Sequence, residues 1–292
     1  MSTDIFQTLL FIHVPKTAGT TIDSVLHRQY RSDEIFRVGR DIQGNYKVYI
    51  EMDSAERARF RVMIGHIPYG VHEYISGSFA YFTFLRDPIE RTISHYYFLR
   101  GEPGHPLADM LKGNWPSLEK CLELEMDPMM FNAHTRLLSG VWYGPKPGKC
   151  TKEHLEMAKE NLRLRFSVIG LTERFDESLI LLKRAFGWRD IRYSRWNVTQ
   201  GRPKKKDLPA STRTVVESAN LLDMELYAYG QELFSDQIRN RERQIAFEVR
   251  RLRLANYLEK WTMPIKQRSI RVYVKERWQR RSRSETGTGE ES

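Results

Sequence analysis

Apolar residues fall along this chain with two different periods. Leu9–Val14, Tyr46–Ile50, Arg61–Gly65, Phe79–Leu85 and Phe166–Leu171 are compact runs rich in β-branched and aromatic residues, the pattern of buried strands. Thr21–Tyr30, Pro88–Arg100, Pro128–Ser139, Lys152–Arg165 and Asp176–Phe186 instead carry helical periodicity. A longer helix is predicted from Thr212 to Phe234, where Val215, Ala219, Leu222, Leu226, Tyr229 and Leu233 advance by alternating steps of four and three. Such a stripe faces a core or a second helix rather than a cofactor. Alternating strands and helices predict an α/β fold with a mostly parallel central sheet. The Pro- and Gly-rich stretch Arg100–Pro116 reads as an irregular loop of the kind that serves as a lid or substrate loop.

Composition narrows the class. At 292 residues, 40% hydrophobic, the chain can bury a sizeable core and is neither disordered nor collagen-like. Two cysteines, Cys121 and Cys150, exclude a disulfide scaffold and suit a reducing compartment, with one bridge left open. No Cys/His cluster has zinc-ligand spacing, so no metal is expected. The N-terminus lacks a basic n-region and no apolar run reaches about 18 residues. The expectation is a cytoplasmic protein, and the Asn197-Val198-Thr199 glycosylation pattern is set aside accordingly.

The net charge of +10 is unevenly placed. Residues 239–283 hold fifteen Lys and Arg against four Glu, so the body is near neutral. Ile238, Ile245, Val249 and Leu252 recur there at helical spacing, as do Leu254, Leu258 and Trp261. The predicted organisation is a domain over residues 1–235, a basic amphipathic helical extension over 236–283 and a disordered tail over 284–292. The extension fits either a solvated basic face packed on the core or a partner, or contact with an anionic membrane surface or nucleic acid.

Two strand–turn–helix segments carry the chemistry. In FIHVPKTAGTTIDSVL a strand ends at Val14 and a helix starts near Thr20. Between them Lys16, Thr17, Ala18, Gly19, Thr20 and Thr21 form a turn whose amides and positive helix end suit anionic oxygens. An ordinary turn with a capping threonine has the same features. The nucleotide loop G-x-x-x-x-G-K-[ST] is absent, which argues against ATP-type phosphoryl transfer. In FAYFTFLRDPIERTISHYYFLR, Arg86 leaves the strand at the sheet's carboxyl edge, Asp87 caps the helix and Pro88 takes its first position. Arg86 with Ser94 suits a terminal phosphate monoester, whereas Arg91 pairs equally well with Glu90 or solvent.

HVPKTAGTT followed some 65 residues later by RDPIERTISHYY resembles the carbohydrate-type sulfotransferases that use PAPS (3′-phosphoadenosine 5′-phosphosulfate), most of all the heparan and uronyl 2-O-sulfotransferase branch and its bacterial relatives. GHIPYGVH at 65–72, GLTERFDESLILLKRAFGW at 170–188 and NVTQGRPKKKDLP at 197–209 extend the resemblance over roughly residues 8–235. It implies a P-loop-like three-layer fold, PAPS as sulfonyl donor and PAP as product. By the same resemblance the first loop takes the 5′-phosphosulfate, Arg86 and Ser94 the 3′-phosphate, and Arg202 and Lys204 belong to a third cofactor-contacting loop. Asn132 and Arg136 in FNAHTRLLSG fall where relatives place a polar segment facing the site, for acceptor or adenine contact.

Sulfonyl transfer needs a base for the acceptor hydroxyl and a positive group at the leaving phosphate. Lys16 is the choice for the second role. His66, at the same sheet edge as Lys16 and Arg86 and within the family's histidine segment, is the choice for the first. His72 is the runner-up and a candidate substrate contact. Some relatives carry a further histidine two positions before the matching one, where this chain has Ile64. His13 reads as structural, His95 as covering the helix beside Ser94, and His27, His105, His134 and His154 have no motif around them. The expected function is a PAPS-dependent O-sulfotransferase acting on a hydroxylated, carbohydrate-like acceptor. The alternatives are an ATP-dependent small-molecule kinase and a polyanion or membrane-surface binding protein acting through the basic segment. A homo-oligomer stays open.

Overall fold

The computed structural model describes residues 8–38, 42–101, 106–111, 114–141, 150–194 and 201–262. Residues 195–200, part of the 100–116 stretch, the whole of the basic extension beyond residue 262 and the 284–292 tail therefore lie outside the described residues. Five parallel strands, β1 (Thr8–Ile12), β2 (Ile35–Val38), β3 (Val62–Gly65), β4 (Phe79–Leu85) and β5 (Phe166–Leu171), form one sheet in the order β2-β3-β1-β4-β5. The helices are α1 (Gly19–Gln29), α2 (Ile42–Glu51), α3 (Ser54–Arg57), α4 (Pro88–Gly101), α5 (Pro106–Leu111), α6 (Leu118–Glu123), α7 (Ala133–Ser139), α8 (Lys152–Arg165), α9 (Phe175–Phe186), α10 (Ala210–Ser218), α11 (Leu221–Ile238) and α12 (Glu242–Thr262).

The central strand β1 is wholly buried, its four apolar residues Leu9–Ile12 following Thr8, as suits a strand covered on both faces. Side chains alternate along β4. Phe82 meets Phe186 and Trp188, and Phe84 meets Phe175, on the side of α9. Leu85 faces α11, whose Gly230 is so close that an added Cβ would lie 2.2 Å from the Leu85 Cδ1. α1 joins the α9 layer, since Arg28 bonds Asp190 at 2.9 Å and the Trp188 indole donates to the Tyr30 hydroxyl at 3.1 Å. The sheet is thus a middle layer between α1/α9 and α7/α8/α11, the three-layer arrangement expected.

Three expectations are corrected. Tyr46–Ile50 lies in α2, not a strand: Val48 is 53% exposed while Tyr49 turns inward onto Phe36. Packing on one side only overrides the β propensity of the run. The edge strand is instead Ile35–Val38, a four-residue run interrupted by Arg37. The predicted Pro128–Ser139 helix is a short 3-10 turn, Pro128–Met130, followed by α7, with Asn132 in the left-handed region (φ 46°) between them. The Thr212–Phe234 helix breaks at Ala219 and Asn220, and the face of α11 that packs inward is Asp223, Leu226, Gly230, Phe234 and Ile238. An aspartate and a glycine on that face conceal it from a hydrophobic count.

Contacts divide the chain into a unit spanning Met1–Val249 and a second from Arg250, a boundary that falls within α12. Ile238, Ile245, Val249 and Leu252 are all buried. In the first unit, Glu248 takes an ion pair from Arg184 at the end of α9. Cys121 and Cys150 are both free thiols. Among the described residues, no helix is long and apolar enough to cross a membrane.

Candidate active site

The topology opens a crevice at the carboxyl edge. The connection from β1 runs through α1 toward β2 at one end of the sheet, and that from β4 runs toward β5 at the other. Adjacent strands whose connections part in this way leave a ligand-binding cleft between them. Lys16 stands after β1 and Arg86 after β4, and the Arg86 guanidinium bridges the gap by donating from Nη1 to the Lys16 carbonyl at 2.9 Å.

The first loop is a tightly wound turn. Lys16 (φ 68°) and Ala18 (φ 69°) both sit in the left-handed region, which costs a side-chain-bearing residue on the order of 1 kcal/mol each. Thr17 is buried and donates its hydroxyl to the Val14 carbonyl at 2.7 Å, holding the turn closed. The loop then delivers Gly19 and exposed Thr20 as the first residues of α1; their amides precede the first helical bond, that of the Thr21 amide to the Ala18 carbonyl at 3.0 Å. No acidic side chain lies in that first turn, so the positive helix end is left for an outside anion. Thr21 is buried. The Lys16 ammonium rests over the Phe98 ring of α4, 4.2 Å from its centroid.

Strand register sets the histidines. Ile12 pairs with Gly65, so the residues that follow, His13 and His66, emerge side by side with ring centroids 4.7 Å apart. The His66 ring lies 2.6 Å through Nδ1 from the His13 carbonyl. A carbonyl only accepts, so Nδ1 carries the proton and Nε2 the lone pair. Burial holds the His66 pKa below the usual value, against the rise that the His13 carbonyl causes; His95 and Lys16 add to the lowering. His13 is held well below, by burial first and then by His66 and Lys16. His66 is therefore a neutral imidazole poised to accept a proton.

Arg86 is mostly buried, with side-chain exposure of 14%. The third segment docks on the start of α4: Glu90 accepts from Arg202 Nη1 at 2.9 Å and from the Lys205 amide at 2.8 Å, and lies 3.7 Å from Arg86 Nη2. Asp87 caps α4 through the Ile89 and Glu90 amides, both at 3.0 Å, and pairs with Lys205 Nζ at 3.0 Å. Within this tripeptide of lysines it is Lys205 that turns toward Arg86's neighbours. Lys204 is exposed, its amide bonded to Asp207. Ser94 is buried on α4.

The structure thus gathers Lys16, Gly19, Thr20, His66, Arg86 and Arg202 around one edge. His72 is placed elsewhere: its ring contacts Tyr69, Phe79 and the Tyr81 hydroxyl, at the start of β4. Asn132 and Arg136 are buried, not on a solvated face. Asn132 Oδ1 accepts the Asp223 amide at 3.1 Å, and Arg136 Nε donates to the Phe131 carbonyl at 3.2 Å. Arg91 is fully buried too, bonded to the Met129 carbonyl at 2.7 Å, and burial brings its pKa down to about 10.

Two histidines have surroundings that the sequence does not reveal, where His95 reads as a cover for the helix and His134 has no motif around it. His95 on α4 is 5% exposed, its Nε2 3.4 Å from Asp127 Oδ1, and both groups act electrostatically on His66. His134 on α7 accepts the Arg86 amide on Nε2 at 3.3 Å. The i, i+3 spacing of His95 and Phe98 on the helix that begins with Arg86's turn was the one available signal for the first.

Comparison with known proteins fits this edge. The family model described as galactose-3-O-sulfotransferase matches residues 3–263. The chain belongs to the galactose-3-O-sulfotransferase family. Human galactose-3-O-sulfotransferase 2 is 25% identical over 84% of this chain and 65% of its own. Human galactosylceramide sulfotransferase is 27% identical over 86% and 62%. Chicken (Gallus gallus) heparan-sulfate 6-O-sulfotransferase 2 is 28% identical over 61% and 50%. The chain therefore spans about half to two-thirds of the length of these relatives. The solved structure of mouse sulfotransferase SULT7A1 complexed with PAP covers 86% of this chain and 91% of its own at 14% identity, with a TM-score of 0.38. The carbohydrate-sulfotransferase resemblance drawn from the paired loops is borne out by the family match, and the matching model within that group is the galactose one.

Proposed function

We propose that this member of the galactose-3-O-sulfotransferase family transfers a sulfonyl group from PAPS to a sugar hydroxyl, a galactoside being the first acceptor to try. The observation that carries the reading is His66: a neutral imidazole, its tautomer set by the His13 carbonyl, placed one strand from the Lys16 loop. Two separate cationic positions, the α1 N-terminus with Lys16 and the Arg86–Arg202 pair, fit a nucleotide with phosphate groups at both ends. Thr17, Ala18, Gly19, Thr20 and Thr21 shape the first position; Ser94 and Lys204 are assigned with Arg86 and Arg202 to the second.

In this mechanism His66 Nε2 takes the acceptor hydroxyl's proton as the acceptor oxygen bonds to sulfur. The bond from sulfur to the bridging oxygen breaks, and PAP leaves with the negative charge. Lys16 and the α1 amides meet that charge. The contact between Lys16 Nζ and Phe98 keeps the cation on the α4 side of the loop.

Thermal unfolding of the purified chain with PAP, with ADP, and with ATP plus Mg²⁺ tests the nucleotide assignment. At 100 times the dissociation constant a ligand stabilises by about 2.7 kcal/mol, roughly a few degrees for a chain of this size. A shift with PAP and little with ADP is expected. A shift with ATP and Mg²⁺ alone would indicate a kinase, and no shift with any would remove the nucleotide site.

A further inference from the structure

Behind the Arg86 turn lies a buried acid–imidazole pair that neither the anion loop nor His66 uses. Asp223, in the first turn of α11, is wholly buried. Its Oδ2 accepts from the His134 amide at 3.0 Å and from the His134 ring Nδ1 at 2.8 Å. Its Oδ1 accepts from the Thr135 amide at 2.8 Å and hydroxyl at 2.9 Å. Burial alone would push this carboxyl up, but His134, Arg91 and the Thr135 amide outweigh it and hold the pKa down to about 2.

An ionised Asp223 keeps the His134 proton on Nδ1, which leaves a lone pair on Nε2. That lone pair takes the backbone N–H of Arg86 at 3.3 Å. The next amide, Asp87 N–H, goes to Glu173 Oε1 at 3.0 Å. Both peptide units leaving β4 are therefore held by side chains. The far end of Arg86 is fixed separately, on the Lys16 carbonyl.

We propose that the Asp223–His134 pair is a positioning device for Arg86, and that through it the protein distinguishes a nucleotide bearing a 3′-phosphate from one without. The inference rests on Arg86 reading that phosphate, as argued above. A guanidinium anchored at its tip but loose at its backbone would still attract anions. It would lose the fixed fork geometry that favours a monoester.

Calorimetric titration of the full chain with PAP and with ADP tests this, using two substitutions that separate the halves of the imidazole. His134→Asn keeps a donor for Asp223 but is too short to reach the Arg86 amide. His134→Gln extends an acceptor to the Nε2 position. In His134→Asn the PAP dissociation constant should rise about five- to tenfold, the worth of one hydrogen bond, while that for ADP changes less than about twofold. In His134→Gln most of the PAP preference should return. An unchanged PAP-to-ADP ratio in His134→Asn, or parallel loss of both ligands, would overturn the device and leave His134 a structural residue. A wild-type chain with no preference for PAP would overturn the phosphate reading itself, and the inference with it. Should His134→Asn not fold, the wild type labelled with ¹⁵N-histidine decides. The His134 signal, identified by its loss in His134→Gln, should be an Nδ1–H tautomer that responds to PAP and not to ADP; an Nε2–H tautomer overturns the proposal.

Discussion

At the scale of single residues the site is organised by close approach as much as by charge. A Cβ added to Gly19 would lie 2.0 Å from the His13 ring, so only glycine lets α1 start against that imidazole. The His13 ring is in turn neighbour to His66, and its carbonyl fixes the His66 tautomer. Gly19→Ala should therefore do two things: lower stability by about 1–3 kcal/mol through overpacking, and reduce turnover by displacing His13 and with it His66. Urea unfolding and PAPS turnover with a galactoside check the pair, and a variant with normal stability and turnover would show that the ring moves aside freely. His66→Ala isolates the chemistry. It should cut turnover by about 10²–10⁴-fold, the usual worth of a general base, while the PAP dissociation constant stays within about twofold. Near-full turnover would take the base role from His66. Glycine's need here was legible only as a loop preference, because the atom that demands it belongs to a histidine six residues earlier.

At the scale of elements, local pattern located most of the sheet. Phe79–Leu85, Phe166–Leu171 and Lys152–Arg165 have the ends the sequence predicts, each bounded by a sharp change of period. What local pattern could not show is how the α4, α7, α10 and α11 segments are joined, since polar groups do this inside the core. Asn220, fully buried at the break between α10 and α11, accepts from the Asn132 amide at 3.0 Å and from Arg91 Nη2 at 3.4 Å. It donates to the carbonyls of Met130 and Val216 at 3.0 and 3.1 Å. Asp223 and His134 are similarly joined across 89 residues. A reading that sends polar residues outward misses such groups, and it placed the inward stripe of α11 one position off. Asn220→Ala leaves a buried guanidinium and a buried carbonyl short of partners, so the loss should be about 2–4 kcal/mol in urea unfolding. A loss under about 0.5 kcal/mol would mean that the four elements hold together without this joint.

At the scale of the whole molecule, the two legible features were the paired anion loops and the concentration of positive charge after residue 238. The first led to the family, whose match runs from residue 3 to 263 and so includes all of α12. A further property of the whole follows from burying neutral histidines at the sheet edge. His13, His66 and the more accessible His72 all have pKa values lowered chiefly by burial. Once unfolded they return to about 6.5. Between the lowered values and 6.5 the unfolded chain therefore binds more protons than the folded one, so stability rises with pH through that window and falls as pH drops below about 6.5. Asp223 works in a lower window: held at about 2 against an ordinary 3.8, it stabilises in full above roughly pH 4 and loses that contribution only in stronger acid. The urea midpoint should consequently fall from pH 7.5 to pH 5.5 with the carboxylate contribution still intact. Replacing His13 with Gln, which never takes up the proton, should flatten that slope. A midpoint that holds or rises on acidification would mean that the edge histidines protonate without cost in the folded state. The fold would then do nothing to keep the His66 lone pair free of solvent protons, and the site would lose its claim to hold a neutral imidazole for an acceptor hydroxyl.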